Sequence, residues 1–376
     1  MATNSPSATC WPNDLQRLLL SGALRGGDRA VRAARQWADQ VDLDYIDYGS
    51  FRILPLLART MEQLGVDLPI GHRIRGIYRR SWYRNQVLLQ TAAAAIGTLA
   101  AAEIPMIVTK GAAVADRYYP DLGTRPMGDV DIVVPATDRD AAIDALTAAG
   151  WRGDIIETGL ETRHGCPFHN DVQGNVDLHW ATSSDLHPDF DESAAWNRTA
   201  VTGRLSPARR LAPEDELLLT IRHGLQEPGG LITWAADAAL ILRGASIDWP
   251  LLIEAVDRYQ RSEMVGAALR LVADVADTPV PSRHLVAIDS LSHRRWHRNE
   301  LNALTRPSRS LRLNQVRGSW YRYRRWSAAG NMRANPLRFP AHWAHVLGLR
   351  GPQALVAHTF RVVGRSLRPK ANRRSR

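Results

Sequence analysis

Two aspartates separated by one residue, Asp129 and Asp131, have a spacing that could do chemistry. They open the segment DVDIVVP (129–135), whose β-branched residues are typical of a buried strand. Alternate residues of a strand project from one face about 6.5 to 7 Å apart, so both carboxylates would share a face. Such a pair repels itself unless a cation lies between the acids, and Mg²⁺ prefers carboxylate oxygens. Because isolated Asp-x-Asp pairs are common in turns and at solvated edges, a metal site requires further groups nearby.

A third acid, Asp177, lies in the later strand-like segment GNVDLHW (174–180). If this strand pairs beside the first, Asp177 falls next to Asp129 and Asp131. By alternation His179 would share the face of Asp177 and could contact a phosphate or a water on the metal. The alternative for His179 is a partly buried sheet histidine. Three acids on one face predict a site for two Mg²⁺ ions, which can activate an attacking hydroxyl and stabilise a leaving pyrophosphate.

The turn before these acids supplies groups suited to a phosphate. Gly111 lies where the segment IPMIVTK (104–110) passes into the helical segment GAAVADRYYP (111–120). Free backbone N–H groups at a helix N-terminus favour anions, and Lys110 could reach a triphosphate as a point charge. A glycine that only relieves crowding and a solvated lysine are the alternative.

These residues require an element order of strand, helix, strand, helix and strand between about residues 100 and 180. The second helix, 138–151, has Asp138 as its expected N-cap and Gly150 as its stop. Helical spacing of apolar residues precedes and follows this core. The fold class predicted is α+β (mixed α/β), a small mixed sheet flanked by helical regions. The predicted regions are an N-terminal helical region (1–95), the sheet core (96–185), a helical domain (186–290) and a basic, partly helical C-terminal region with a disordered tail (291–376).

Composition narrows the class of protein. The chain has 376 residues, of which 45% are hydrophobic and 23% are charged, as in globular proteins. We find no apolar run of 18 residues, so we expect no transmembrane segment, and we find no secretory signal pattern. Two cysteines, Cys10 and Cys166, cannot build a disulfide framework. We therefore expect a cytoplasmic location.

The net charge of +10 is concentrated after residue 290, and arginine far outnumbers lysine. The basic segments are HRRWHRNE (293–300), WYRYRRW (320–326) and RPKANRRSR (368–376). A nucleic acid or an anionic surface would be a suitable partner for this region, although no named nucleic-acid-binding motif is present. A solvated basic surface is the alternative.

Several histidines outside the acid pattern have open interpretations. His164, Cys166 and His169 could suggest Zn²⁺, but four ligands at recognised spacings are missing, so we expect a loop near the site there. His223 and Asp237 lie in later helical segments. They could line the acceptor side of the site or form hydrogen bonds between helices.

The segment IVTKGAAVADRYYPDLGTRPMGDVDIVV (107–134), followed by NVDLHW (175–180), resembles the uncharacterised bacterial nucleotidyltransferase-like proteins of the DNA polymerase beta superfamily. The shared pattern is a Lys-Gly turn, a Tyr-Pro helix end, an Arg-x-Met-x-Asp-hydrophobic-Asp strand and a later Asp/Glu-Leu-His-Trp strand. The resemblance covers roughly residues 30 to 280. It implies that Asp129, Asp131 and Asp177 hold two Mg²⁺ ions and a nucleoside triphosphate, with ATP as the expected donor, and that Gly111 faces the phosphates.

The implied reaction moves a nucleoside monophosphate to an unidentified small-molecule, peptide or protein acceptor. The chain departs from the superfamily at Gly111-Ala112, where Gly-Gly or Gly-Ser is usual, so Lys110, Arg125 and His179 are the expected nucleotide-binding residues. This departure leaves open a non-catalytic nucleotide-binding, antitoxin-like or scaffold protein that retains the fold. An enzyme that binds RNA or DNA through the basic C-terminal region is the third hypothesis.

Overall fold

A mixed sheet of seven strands lies within the part of the chain that the computed structural model describes, which is residues 10–154, 164–171, 174–183, 186, 190–201, 203–226, 231–292, 294–305, 311–329, 332–347, 349 and 353–354. The strands are β1 (Ile107–Thr109), β2 (Asp131–Val133), β3 (Arg152–Gly153), β4 (Gly165–Asn170), β5 (Gly174–His179), β6 (Ala200–Val201) and β7 (Arg209–Arg210). Their order is β3-β4-β5-β2-β1-β7-β6, with β2–β5 and β1–β7 parallel and the other pairs antiparallel. The predicted fold class is confirmed.

The three strand segments predicted from β-branched runs are present as β1, β2 and β5. The expectation of a loop around His164–His169 was wrong, because residues 165–170 form β4 and pair with β5 over six residues. Pro167 is exposed, while Cys166 and Phe168 alternate into the core. The short strands β3, β6 and β7 carry no periodic pattern long enough to predict.

Helices account for most of the remaining described chain. They are α1 (Asp14–Leu24), α2 (Gly27–Ala38), α3 (Tyr48–Phe51), α4 (Leu54–Gln63), α5 (Gly71–Ala101), α6 (Lys110–Tyr118), α7 (Arg139–Ala148), α8 (Ser193–Asn197), α9 (Pro213–Gln226), α10 (Thr233–Gly244), α11 (Trp249–Arg258), α12 (Ser262–Ala276), α13 (Ser282–Ser290), α14 (Arg295–Thr305), α15 (Leu311–Ala329) and α16 (Phe339–Val346). None of the helices in the described residues is long and apolar enough to cross a membrane.

The two faces of the sheet differ in chemistry. Val108, Ile132 and Leu178 occupy adjacent register positions and pack with apolar residues of α5 and α7. Alternation places the intervening residues on the opposite face. There Ile107 and Val133 pack with Leu219 of α9 and with other apolar residues. Thr109, Asp131 and Asp177, at the polar ends of the central strands, therefore lie on the face that α9 partly covers.

The helices that precede the sheet in the sequence share one apolar core with helices that follow it. Residues of α1, α2 and α4 pack with residues of α9, α10, α11, α12 and α13 in this core. The Cys10 thiol donates to the Leu225 carbonyl at 2.8 Å, and the Ser21 hydroxyl donates to the Val275 carbonyl at 3.0 Å. Segments more than 200 positions apart are thus joined, and the sheet lies between them in the sequence.

The first turn of α9 buries a carboxylate without a hydrogen-bond donor. Glu216 is 1% exposed, and neither of its oxygens has a hydrogen-bond partner among the described residues. Arg117 Nη1 lies 3.8 Å from Glu216 Oε2, at the long end of ion-pair distances. Burial raises the pKa of Glu216 to about 7.

The segment WYRYRRW lies in α15, and part of it is used in packing. Arg325 is buried and binds the Glu300 carboxylate, while its Nη1 donates to the Gln260 carbonyl at 3.0 Å. Arg324 lies over the Trp296 ring at 5.0 Å from the centroid. These side chains bind α15 to its neighbours, which limits their use as phosphate contacts. The basic stretch 368–376 lies outside the described residues.

Candidate functional site

Asp131 is the central residue of the candidate site because its strand, β2, lies between β1 and β5. Its register partners are Thr109 on β1 and Asp177 on β5. Directly paired residues of neighbouring strands project from the same face of a sheet. The Asp131 and Asp177 side chains therefore lie together, as expected if the two strands paired.

Three side chains form a compact group of metal-ligand type. Carboxylate oxygens of Asp131 and Asp177 and a ring nitrogen of His179 lie within 4.8 Å of one another. Among the described residues, no other three histidines, cysteines or acids lie this close to one another. His164, Cys166 and His169 do not form one, since Cys166 is buried in the apolar core on the other face.

The Asp131 carboxylate already has two positively polarised neighbours. Lys110 Nζ donates to Asp131 Oδ1 at 2.6 Å, and His179 Nε2 lies 2.8 Å from the same oxygen. All three side chains are about nine-tenths buried. Although burial opposes ionisation, the Lys110 ammonium and the hydrogen bond to His179 hold the pKa of Asp131 well below its usual range. Asp131 is therefore an anion throughout the physiological pH range.

The other two acids lack such compensation. Asp129 lies two residues before Asp131, outside β2, and its side chain is exposed. Partial desolvation of its carboxylate and the charges of Asp131 and Asp177 raise the pKa of Asp129 to about 6. Burial and the charge of Asp131 likewise raise the pKa of Asp177. The cluster thus holds more negative charge than its cations neutralise, a condition that a bound metal ion would relieve.

The loop that leads to Asp129 is held by α5. The side-chain amide of Asn85 donates to the carbonyls of Leu122 and Arg125 at 2.5 and 2.8 Å, and its oxygen accepts from the Met127 amide at 3.2 Å. Asn85 is buried in the middle of α5. A buried asparagine inside a helix was the sequence signal that could have identified this role, and the sequence interpretation missed it.

The phosphate-binding turn predicted at Lys110 and Gly111 is the N-terminus of α6, beside Asp131. Lys110 has φ +53°, which is uncommon for a residue with a side chain. A Cβ on Gly111 would lie 2.6 Å from Arg125 Nη1, so glycine permits close packing of the turn on that guanidinium. Ala112, the residue after this glycine, is buried.

Arg125, a predicted nucleotide ligand, is engaged with another residue. Its Nε and Nη2 donate to the two carboxylate oxygens of Asp237 on α10 at 2.8 and 2.7 Å. The Tyr119 hydroxyl also donates to Asp237, at 2.7 Å. Arg125 and Asp237 are both more than nine-tenths buried. Asp237 therefore binds Nε and Nη2, and the third guanidinium nitrogen, Nη1, faces Gly111.

Histidines from three elements surround the acids. The rings of His164 and His179 lie 4.9 Å apart between centroids. Burial lowers the pKa of His164 well below its ordinary value. Burial and the nearby Lys110 charge lower the pKa of His223, on α9, to about 3. His164 and His223 are therefore neutral at pH 7. The sequence predicted His164 in a loop near the site and offered the acceptor side as one role for His223.

The donor set fits a divalent cation. Two carboxylates provide the oxygen ligands that Mg²⁺ prefers, and an imidazole nitrogen would extend the set toward Mn²⁺ or Zn²⁺. His179 Nδ1 has no hydrogen-bond partner in the described structure and packs against Gly165, where a Cβ would lie 2.2 Å away. A metal on Nε2 would leave a buried Nδ1–H without an acceptor. The geometry therefore favours Nε2–H donating to Asp131 and fixing that carboxylate.

Comparison with known protein families identifies one match. A family described as "uncharacterised nucleotidyltransferase" matches residues 50–277, which is more than half of the chain and includes β1, β2 and β5. No curated protein matches the chain significantly.

Proposed function

Because the chain belongs to the uncharacterised nucleotidyltransferase family, we propose that its acid site moves a nucleoside monophosphate from a nucleoside triphosphate to an acceptor. The observation that carries the proposal is the register of β2 and β5, which pairs Asp131 with Asp177 beside the N-terminus of α6. Carboxylates that concentrate negative charge next to a helix N-terminus suit a cation and a phosphate together.

The residues that would hold the metal are Asp131, Asp177 and Asp129. When bound, two Mg²⁺ ions would lower the charge on the triphosphate and on the attacking oxygen. The excess negative charge of the cluster, expressed in the raised pKa values of Asp129 and Asp177, supports this assignment.

The turn between β1 and α6 would bind the triphosphate. The backbone amide of Gly111 lies at the helix N-terminus, and the Lys110 ammonium lies 2.6 Å from Asp131 Oδ1. His179 would keep the Asp131 carboxylate in one orientation through its Nε2 contact. Arg125 would act through Nη1 beneath Gly111, since Asp237 binds its other two nitrogens.

The reaction itself is a displacement at the α-phosphorus. The acceptor oxygen forms a bond to that phosphorus, the bond to the β-phosphate oxygen breaks, and pyrophosphate leaves with the electron pair. With a hydroxyl acceptor, the proton passes to a carboxylate. Asp177 is suited to accept it because its pKa is raised while that of Asp131 is held low.

The proposal is tested by incubating the protein with α-labelled ATP and the other nucleoside triphosphates, Mg²⁺ or Mn²⁺, and candidate small molecules, peptides and proteins. We expect label transfer in the wild type and none in the double variant Asp129→Asn, Asp131→Asn. Asp140→Asn, on an exposed carboxylate of α7, is the matched control and should retain activity. Transfer that persists unchanged in the double variant would contradict the site assignment.

The main alternative is a binding protein that keeps the fold without the reaction. The Gly111-Ala112 turn, which lacks the usual serine, motivates this alternative. Calorimetric titration with Mg²⁺ and ATP measures whether the nucleotide binds, and the label-transfer assay measures whether it reacts. Binding without transfer to any acceptor would favour a nucleotide-binding scaffold, and no binding at millimolar nucleotide would remove both nucleotide-dependent hypotheses.

A further inference from the structure

The Lys110 ammonium contacts Asp131, a carboxylate that would also bind the metal ion. Lys110 Nζ is 2.6 Å from Asp131 Oδ1, and the lysine side chain is only 10% exposed. The same carboxylate belongs to the compact group with Asp177 and His179. An ammonium and a divalent ion on one buried carboxylate repel each other strongly at low dielectric. Lys110 therefore opposes metal binding for as long as it stays on Asp131.

The identity of this residue is unusual for the chain. Of the 48 lysines and arginines, only two are lysines, Lys110 and Lys370. A sequence with this bias toward arginine nevertheless has lysine at the acid site. Arginine would grip a carboxylate with two parallel hydrogen bonds, whereas lysine is a point charge on a flexible stem. The lysine is thus suited to leave the carboxylate and return to it.

The backbone adds a second indication that this position is specialised. Lys110 takes φ +53° at the junction of β1 and α6. That region is unfavourable for a residue with a side chain and is usually occupied by glycine, asparagine or aspartate. Lys110 is the first residue of α6, where a phosphate would bind, and its ammonium contacts Asp131.

We propose that Lys110 is an exchangeable internal counterion of the acid site. In the absence of nucleotide its ammonium neutralises Asp131. When a triphosphate binds at the N-terminus of α6, the ammonium transfers to the phosphates and releases Asp131 to a divalent metal ion. Metal alone then binds weakly, and metal and triphosphate bind with positive coupling, as linkage requires. This inference rests on the proposed nucleotide-binding function of the same site.

The test is calorimetric titration of Mn²⁺ into the full-length protein, with and without a saturating non-hydrolysable ATP analogue. Without nucleotide, we expect Lys110→Met to bind Mn²⁺ at least tenfold more tightly than the wild type. With the analogue, the wild-type affinity should rise at least tenfold, while Lys110→Met should show little further gain. Arg80→Met, which removes a positive charge from an exposed position of α5, should behave as the wild type.

Equal or weaker nucleotide-free Mn²⁺ binding by Lys110→Met would overturn the proposal. Failure of the analogue to bind any variant would overturn the proposed nucleotide function and the coupling. The nucleotide-free comparison would still measure whether Lys110 opposes the metal, so the two failures are distinguishable.

If Lys110→Met does not fold, Lys110→Arg decides the question. The arginine keeps the charge but can hold Asp131 by two hydrogen bonds, so we expect Mn²⁺ binding as weak as in the wild type and a smaller gain with the analogue. A gain equal to that of the wild type would contradict exchange of the cation.

Discussion

Two buried aspartates in this protein, Asp131 and Asp237, have opposite surroundings. Asp237 receives two hydrogen bonds from Arg125 and one from the Tyr119 hydroxyl, so both of its oxygens are satisfied. Asp131 has contacts from Lys110 and His179 on a single oxygen, and further acids lie beside it. One carboxylate ends a closed hydrogen-bond network, and the other belongs to a cluster with excess negative charge.

This difference separates a structural carboxylate from a candidate functional one. A paired and fully bonded buried charge holds neighbouring elements together, here the loop before β2 and helix α10. A buried charge with an unused oxygen and like-charged neighbours retains the capacity to bind a cation. Burial alone therefore does not identify function, since both aspartates are less than 9% exposed.

The largest effect on folding is expected from Asp237→Asn. The substitution leaves the buried Arg125 guanidinium without an anion, and loss of one partner of a buried pair typically costs about 3–5 kcal/mol. Urea denaturation should show this decrease in the free energy of unfolding. A decrease below about 1 kcal/mol would mean that the Arg125–Asp237 contact does not support the fold as the geometry indicates.

Asp131→Asn should affect activity more than stability. Lys110 and His179 can still contact the amide, and the carboxylates of Asp129 and Asp177 remain near the Lys110 charge, so the free energy of unfolding should fall less than in Asp237→Asn. If the proposed reaction occurs, its rate should fall about 10²–10³-fold, as when one electrostatic group of a transition-state site is removed. Initial rates of label transfer and urea denaturation measure the two effects. The reverse ranking of stabilities would contradict the comparison.

Glu216 is a third buried carboxylate, and it has neither a bidentate arginine partner nor neighbouring acids of the candidate site. Its pKa is about 7 in the folded state and 4.5 without burial, so between these values the folded protein binds more protons than the unfolded chain. Folding stability should therefore fall as the pH rises from about 4.5 to about 7, by at most about 3 kcal/mol.

The variant Glu216→Gln should remove this dependence, which thermal or urea denaturation at several pH values would measure. Glu103→Gln, at an exposed position two residues after α5, is the control and should keep the wild-type slope. An unchanged slope in Glu216→Gln would show that another group causes the dependence.

The smallest of these effects is expected from Gly111→Ala. The added Cβ would lie 2.6 Å from Arg125 Nη1, and Asp237 restrains that guanidinium, so a destabilisation of about 1 kcal/mol is expected. Nucleotide affinity should fall as well if the turn binds phosphate. Gly128→Ala, where an added Cβ would meet no heavy atom within 4 Å, is the matched control for denaturation and calorimetry.

The sequence predicted the centre of the sheet because β-branched residues and alternation are local signals. They located β1, β2 and β5 and the shared face of Asp131, Asp177 and His179. Asp129 was expected on the same strand as Asp131, but it lies before β2. β4 escaped prediction because Gly165 and Pro167 are typical of loops, and only pairing with β5 overrides that preference. Tertiary context decided this element.

Partners distant in the sequence could not be predicted. Arg125 and Asp237 are 112 positions apart, and nothing near Arg125 in the sequence indicates that it binds another helix. The arginines of WYRYRRW have the composition of a nucleic-acid surface, yet Arg325 binds Glu300. The roles of Asp129, Asp131 and Asp177 remain predictions, which the adjacency of Asp131 and Asp177 supports.

The core shared by the first and later helices has a consequence for synthesis on the ribosome. Apolar residues of α1 and α4, such as Leu20 and Leu57, pack in one core with Leu217 and Val272. About 200 residues must be translated between these segments, which takes roughly 10 to 40 seconds at elongation rates of about 5–20 residues per second. During that interval the first helices lack their apolar partners, so nascent chains stalled before α9 should bind chaperones that chains stalled after α13 do not.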